Sequence, residues 1–146
     1  MSTLSEILRE KEGAPLFAVE QGASVLDAVR TMNDGSVGAL IVNDRGRMIG
    51  IFTERDVLRR VVGQQLEPAT VRVDQVMTKQ VICCTPATSI DEARELMRSR
   101  RIRHLPVLDS EGDVVGLISI GDLNAYQSTH QETTIHYLHE YLHGRV

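Results

Sequence analysis

Apolar and polar positions along the chain fall into the same order twice. Val25, Ala28 and Met32 recur at helical spacing after Ser24, and Ile90, Ala93 and Met97 do so after Ser89. Three residues beyond each serine stands a carboxylate, Asp27 or Glu92, completing a capping-box pattern that predicts a helix start. Two short β-rich runs follow each helix, 39–43 with 47–52 and 105–108 with 114–118, each pair joined by a glycine-containing turn. A second helix is predicted to begin at Thr53 and at Ser119. With short strands at 16–19 and 81–84 ahead of the first helices, the chain reads as β-α-β-β-α twice.

The two copies align residue by residue. Val25 matches Ile90, Ala28 matches Ala93, Met32 matches Met97 and Val42 matches Val107 at one constant offset; Gly50 with Gly116, Thr53 with Ser119 and Asp56 with Asp122 match at an offset one residue longer. The slip falls in the hairpin turn, where an insertion costs least. A single unit is too small to bury its own core, so the duplication predicts an α/β (α+β) module of two repeats packed about a pseudo-twofold axis, with flanking N- and C-terminal helices. Residues 2–12 read as the leading helix and 133–143 as the trailing one. Segment 61–80 connects the halves, broken by Pro68, with a short helical turn at 73–77. The expected units are 1–66, 67–129 and 130–146.

Composition narrows the functional classes. Sixteen Lys and Arg against twenty Asp and Glu give a formal charge of −4, and aromatic content is 3% with no Trp, so broad attraction to nucleic acid and stacking of unpaired bases are both disfavoured. Local basic groups still permit a small phosphorylated ligand, since Arg98, Arg100, Arg101, Arg103 and His104 crowd one short stretch. No apolar run approaches the roughly 18 to 20 residues that span a bilayer, and the first residues lack the basic and apolar regions of a signal peptide, so no membrane role and a cytoplasmic site are expected. The adjacent Cys83 and Cys84 have neither disulfide-framework nor zinc-site spacing and read as small apolar strand residues.

The chemistry that recurs lies at the strand-to-helix junctions, GIFTERD at 50–56 and GLISIGD at 116–122. A hydroxyl at the helix start with an acid three residues on is a capping box that satisfies orphan backbone N–H groups. The same arrangement offers free N–H groups and a positive dipole end to a phosphate, and a carboxylate able to accept hydrogen bonds from a ribose diol. Its presence in both copies favours a duplicated nucleotide site.

The doubled β-α-β-β-α unit, the Gly-apolar-x-Thr/Ser-x-x-Asp pattern at both junctions and RHLPV at 103–107 together resemble a tandem pair of cystathionine-β-synthase (CBS) domains, a Bateman module, over roughly residues 8–128. The resemblance implies regulatory binding of adenine-containing ligands in two clefts between the repeats. Asp56 and Asp122 would bind ribose hydroxyls, and Thr53 and Ser119 the phosphate. The base would lie along the strands that open the hairpins, at Val37, Gly38 and Ala39 and at Ile102, Arg103, His104, Leu105 and Pro106, with Thr85 at a further position that commonly contacts ligand. Arg55, Arg103 and His104 are suited to offset phosphate charge. Where the second copy reads HLPV the first reads ALIV, so the second carries the fuller pattern and its Ser119–Asp122 site is expected to be the stronger.

HEYLH at 139–143 matches the HExxH pattern of zinc metalloproteases. Ile135, Leu138 and Leu142 share one face of the same segment, which an amphipathic packing helix explains without a metal. The reading is therefore a non-enzymatic sensor, a homodimer through its flanking helices, that acts on an effector protein and carries no metal or catalytic cofactor. Its ligand is expected to be AMP, ADP, ATP or NAD(H); S-adenosylmethionine shares the adenosine. The alternatives are a zinc-dependent hydrolase using HEYLH and a dimeric interaction scaffold without ligand.

Overall fold

The computed structural model describes residues 1–130. The expected helix at 133–143, its apolar stripe and HEYLH lie outside the described residues. The order of elements is α1 (Leu4–Glu10), β1 (Ala18–Glu20), α2 (Val25–Gly35), β2 (Ala39–Asp44), β3 (Arg47–Thr53), α3 (Glu54–Asp56) running on into a π-helical segment (Val57–Val62), α4 (Val73–Val76), α5 (Ile90–Arg100), β4 (His104–Leu108), β5 (Val114–Ser119) and α6 (Ile120–His130). This is the mixed α and β architecture expected, in two halves with one small sheet each.

The two halves use the same local devices. Ser24 and Ser89 cap α2 and α5, and each helix ends on a non-glycine residue in the left-handed region, Ser36 (φ 53°) and Arg101 (φ 55°). The amides that follow turn back onto the last turn: Val37 N–H donates to the Met32 carbonyl and Ile102 N–H to the Met97 carbonyl, both at 3.0 Å. That is the geometry of a Schellman ending, and it leads the chain into the hairpin by the same hydrogen-bonded turn twice. In the first hairpin, Arg45 (φ 54°) and Gly46 (φ 80°) form a two-residue turn with both residues left-handed, the type that matches strand twist. In the second, the Asp109 carboxylate accepts the amides of Glu111 at 2.9 Å and Asp113 at 3.0 Å, so the extra residue is absorbed in a side-chain-tied loop.

Three expectations change. The predicted strand at 81–84 is reduced to one parallel bridge, Cys84 with Val107. In the first half, β1 pairs with β2 and Ile41 N–H donates to the Phe17 carbonyl at 3.1 Å. The residue matching Ile41 is Pro106, which has no N–H to give, so the next rung cannot form. The strand expected at 16–19 is shifted to Ala18–Glu20. Finally, the box at Ser24 is one-sided. Ser24 accepts the Asp27 amide at 3.0 Å, but the Asp27 carboxylate faces Arg30 at 3.9 Å instead of returning, whereas Ser89 and Glu92 satisfy each other.

Each half buries its own apolar cluster. Val25, Leu40, Phe52 and Val61 centre the first, which the linker completes with Val73, Val76 and Met77. Leu105, Val107, Ile118 and Leu123 centre the second, completed by Leu4 and Ile7 of α1. Helix α1 is pinned there by backbone bonds, Leu4 N–H to the Thr88 carbonyl and Ser5 N–H to the Pro86 carbonyl at 2.9 Å each, and Ile90 N–H to the Ser2 carbonyl at 3.0 Å.

Candidate functional site

A cavity of about 340 Å³ opens between the halves. From the first half it takes Gly38 and the junction residues Thr53, Glu54, Arg55 and Asp56, with Arg59 and Arg60 one turn further on. From the second it takes Ile102, Arg103 and His104, and Thr78, Gln80, Val81 and Ile82 of the linker close the remaining wall. Seven residues expected at a binding site are thereby brought together: Gly38, Thr53, Arg55, Asp56, Ile102, Arg103 and His104. The others do not line this cavity. Ala39 is buried and paired with Thr53 in the β2–β3 ladder, and Val37 packs on the first core. Leu105 points the opposite way from His104, into the second core, as strand alternation requires. The Pro106 carbonyl accepts the Cys84 amide at 2.9 Å, and Thr85 is exposed in a local turn with Thr88. Ser119 and Asp122 form the other junction, facing α1.

Asp56 is the anchor. Only 4% exposed, its carboxylate accepts the Thr53 amide at 3.0 Å and the Thr78 hydroxyl at 3.1 Å, with the Arg60 guanidinium 3.5 Å away. Thr53 accepts the Asp56 amide in return at 3.3 Å, so the capping box is real. The capping box and two further contacts, to the Thr78 hydroxyl and the Arg60 guanidinium, therefore meet on one side chain. Glu54 N–H donates to the Gly38 carbonyl at 3.1 Å, and the Glu54 carboxylate lies where a Cβ on Gly38 would stand, with the His104 ring 3.4 Å from that point. Glycine at 38 is what lets an acid of one half and an imidazole of the other meet.

The cavity is cationic although the chain is acidic. Arg55, Arg59, Arg60 and Arg103 face it against the acids Glu54 and Asp56. Arg55 is steadied by the Arg101 carbonyl at 2.6 Å and Arg60 by the Met77 carbonyl at 3.0 Å. Arg59 and Arg60 lie on the π-helical segment, whose wider turn brings two consecutive side chains to one wall; such turns recur at functional sites. At the matching positions the second half has Gly121, Ala125 and Tyr126 in place of Arg55, Arg59 and Arg60. Burial holds His104 below the usual imidazole range, opposed by the charges of Glu54 and Asp122 and reinforced by Arg103 and Lys11. Near neutral pH it is an uncharged hydrogen-bonding ring.

Sequence reasoning missed Ile51, Glu54, Arg59, Arg60 and the connecting residues Thr78, Gln80, Val81 and Ile82. Arg59 and Arg60 were within reach, since they follow Asp56 by three and four residues on a predicted helix. No local signal marks the linker: it joins the site only through the way the halves pack. No cluster of His, Cys, Asp and Glu suited to a metal occurs among the described residues.

This architecture, two halves each carrying a helix, a hairpin and a second helix and meeting at a cationic cleft, is that of a module of paired repeats. The family model described as the CBS domain matches twice, at residues 4–63 and 73–128, and the chain belongs to that family. It is 35% identical to the mitochondrial CBS domain-containing protein CBSX3 of Arabidopsis thaliana, over 98% of this chain and 73% of that protein. Among longer curated relatives the matched part is as little as 21% of their length. A solved structure of a protein with CBS domains from Burkholderia ambifaria, described as a signal-transduction protein, is 41% identical with a TM-score of 0.85, covering 90% of this chain and 97% of that one. A CBS domain protein from Pyrobaculum aerophilum, solved in complex with AMP, is 25% identical with a TM-score of 0.72, covering 82% and 88%.

Proposed function

We propose that the chain is a non-enzymatic regulatory module that binds an adenine nucleotide, AMP, ADP, ATP or NAD(H), in the cleft built on Asp56. The observation that carries this reading is the meeting of Thr53–Asp56 of one half with Ile102–His104 of the other across an arginine-lined cavity. Asp56 would accept the ribose hydroxyls, the Thr53 hydroxyl and the arginines would hold phosphate, and Ile102 with the apolar parts of Val81 and Ile82 would flank the base. The AMP held by the Pyrobaculum relative supports the ligand class. Signal output would pass to an effector protein through a homodimer. We assign the units to 1–66, 67–129 and 130–146, and a reducing compartment such as the cytoplasm, which suits the free thiols of Cys83 and Cys84.

Thermal melts with AMP, ADP, ATP and NADH against GMP and GTP test the reading. A ligand at 100 times its dissociation constant adds about 2.7 kcal/mol, a rise of several degrees for a chain of this size. Adenine nucleotides should raise the melting point more than guanine nucleotides. An equal response to both bases, or none, overturns the proposal. Light scattering on the chain cut after Gln131 tests the dimer: a monomer or weakened dimer supports assembly through the terminal segment, and an unchanged one moves the interface onto the repeats.

A further inference from the structure

Asp122 holds in the second half the place that Asp56 holds in the first, yet its surroundings differ in kind. Its carboxylate accepts the Ser119 amide at 2.8 Å and the ammonium of Lys11 at 2.9 Å. The same ammonium donates to the Leu117 carbonyl at 2.9 Å. Lys11 is the residue on which α1 ends, and one turn earlier Leu8 presses on Gly116, where any Cβ would collide with the Leu8 methyl.

The first half has a counterpart to this contact. There Met77 and Thr78 press on Gly50, the match of Gly116, and the Thr78 hydroxyl donates to Asp56. The end of α1 thus does for the second junction what the linker does for the first, but the linker offers Asp56 a neutral hydroxyl, with the Arg60 guanidinium standing off at 3.5 Å, where α1 offers Asp122 an ammonium at 2.9 Å. A neutral hydroxyl can rotate away or turn acceptor when a ribose diol arrives. An ammonium held between a carboxylate and a carbonyl supplies charge that a diol cannot replace. The second junction also lacks the arginines that would attract phosphate, having Gly121, Ala125 and Tyr126 instead. Leu4 and Ile7, both buried in the second core, keep α1 in place.

From these contacts we infer that Lys11 masks the second junction, so that the chain takes one nucleotide, in the Asp56 cleft, and a second binds only when the Lys11 contact is lost. This rests on the nucleotide reading given above. Calorimetric titration with AMP and with ATP tests it on the full chain, on Lys11→Ala, on Asp56→Asn and on the double variant. The native chain should bind one equivalent, Lys11→Ala two, and the double variant should keep one strong site where Asp56→Asn alone loses at least tenfold in affinity. Lys11→Met, which retains the aliphatic stem, replaces Lys11→Ala if the latter does not melt cooperatively. Two equivalents on the native chain, or one on a folded Lys11 variant, overturns the mask while leaving the nucleotide reading intact. Weaker binding in a Lys11 variant makes Lys11 a ligand contact and equally overturns it. No binding by any of the four chains overturns the nucleotide reading and the mask with it.

Discussion

Replacing Asp56 by asparagine removes one charge and leaves the shape of the side chain, so its cost isolates what the carboxylate contributes to the fold before any ligand arrives. The carboxylate is almost fully buried and serves the Thr53 amide, the Thr78 hydroxyl and the Arg60 guanidinium. An asparagine keeps one oxygen for the Thr53 amide, and the Thr78 hydroxyl can reverse to accept from its NH2 group. What is lost is the charge assistance to these bonds and the partner of Arg60, about 1.5 to 3 kcal/mol. Asp122→Asn is the matched control, because the capping box is the same but the carboxylate is 26% exposed and its Lys11 partner 38% exposed. Solvent screens that pair, and asparagine is itself a good helix-start residue, so the cost falls to about 0.5 to 1 kcal/mol. Urea denaturation at pH 7 without nucleotide measures both, provided the slope against urea is unchanged. Equal costs, or a larger one at Asp122, would refute the claim that burial at the first junction makes its carboxylate the structural anchor.

Two other perturbations probe the surroundings of the cleft. Gly50→Ala places a Cβ 2.8 Å from the Thr78 carbonyl and 2.6 Å from the Met77 sulfur, so it should cost about 1 to 3 kcal/mol in urea denaturation; a change below about 0.5 kcal/mol would show that the linker yields freely. His104 is held below its ordinary value of 6.5 by burial, so under that pH the unfolded chain takes up a proton that the native chain refuses. Stability should therefore fall as pH drops from 6.5 to the lower native value, and His104→Gln should flatten that part of the profile; an unchanged slope in a denaturation series from pH 7 to 5 would remove His104 from the account.

How much of the fold is legible in the sequence depends on whether the signal is local. Helix starts at Ser24, Ser89, Thr53 and Ser119, and hairpins around Gly46 and Gly112, rest on residues a few positions apart, and all of them form. The strand expected at 81–84 failed for a reason written elsewhere in the chain. Pro106 sits across from it and has no N–H, and only the pairing of distant segments shows which residue a proline deprives. The π-helical turn at Val57–Val62 is equally hidden, because its apolar and basic residues fit an ordinary helix as well.

The site was legible as a set of residues and not as an arrangement. Thr53, Asp56 and His104 could all be named from the junction pattern and from HLPV, yet the fuller motif of the second copy does not by itself show which junction it faces. The fold crosses them: Ile102, Arg103 and His104 face Thr53 and Asp56 of the other half. This cavity is thus made from two different copies, and the fuller strand motif of the second copy enriches the first junction. Arg55, Arg59 and Arg60 lie on that same junction helix, and Lys11 lies on the other carboxylate. The two junctions have diverged: imidazole and guanidinium groups gather at the cavity beside Asp56, and the ammonium of Lys11 lies on Asp122. A repeat whose copies differ in this way is better read cleft by cleft than copy by copy.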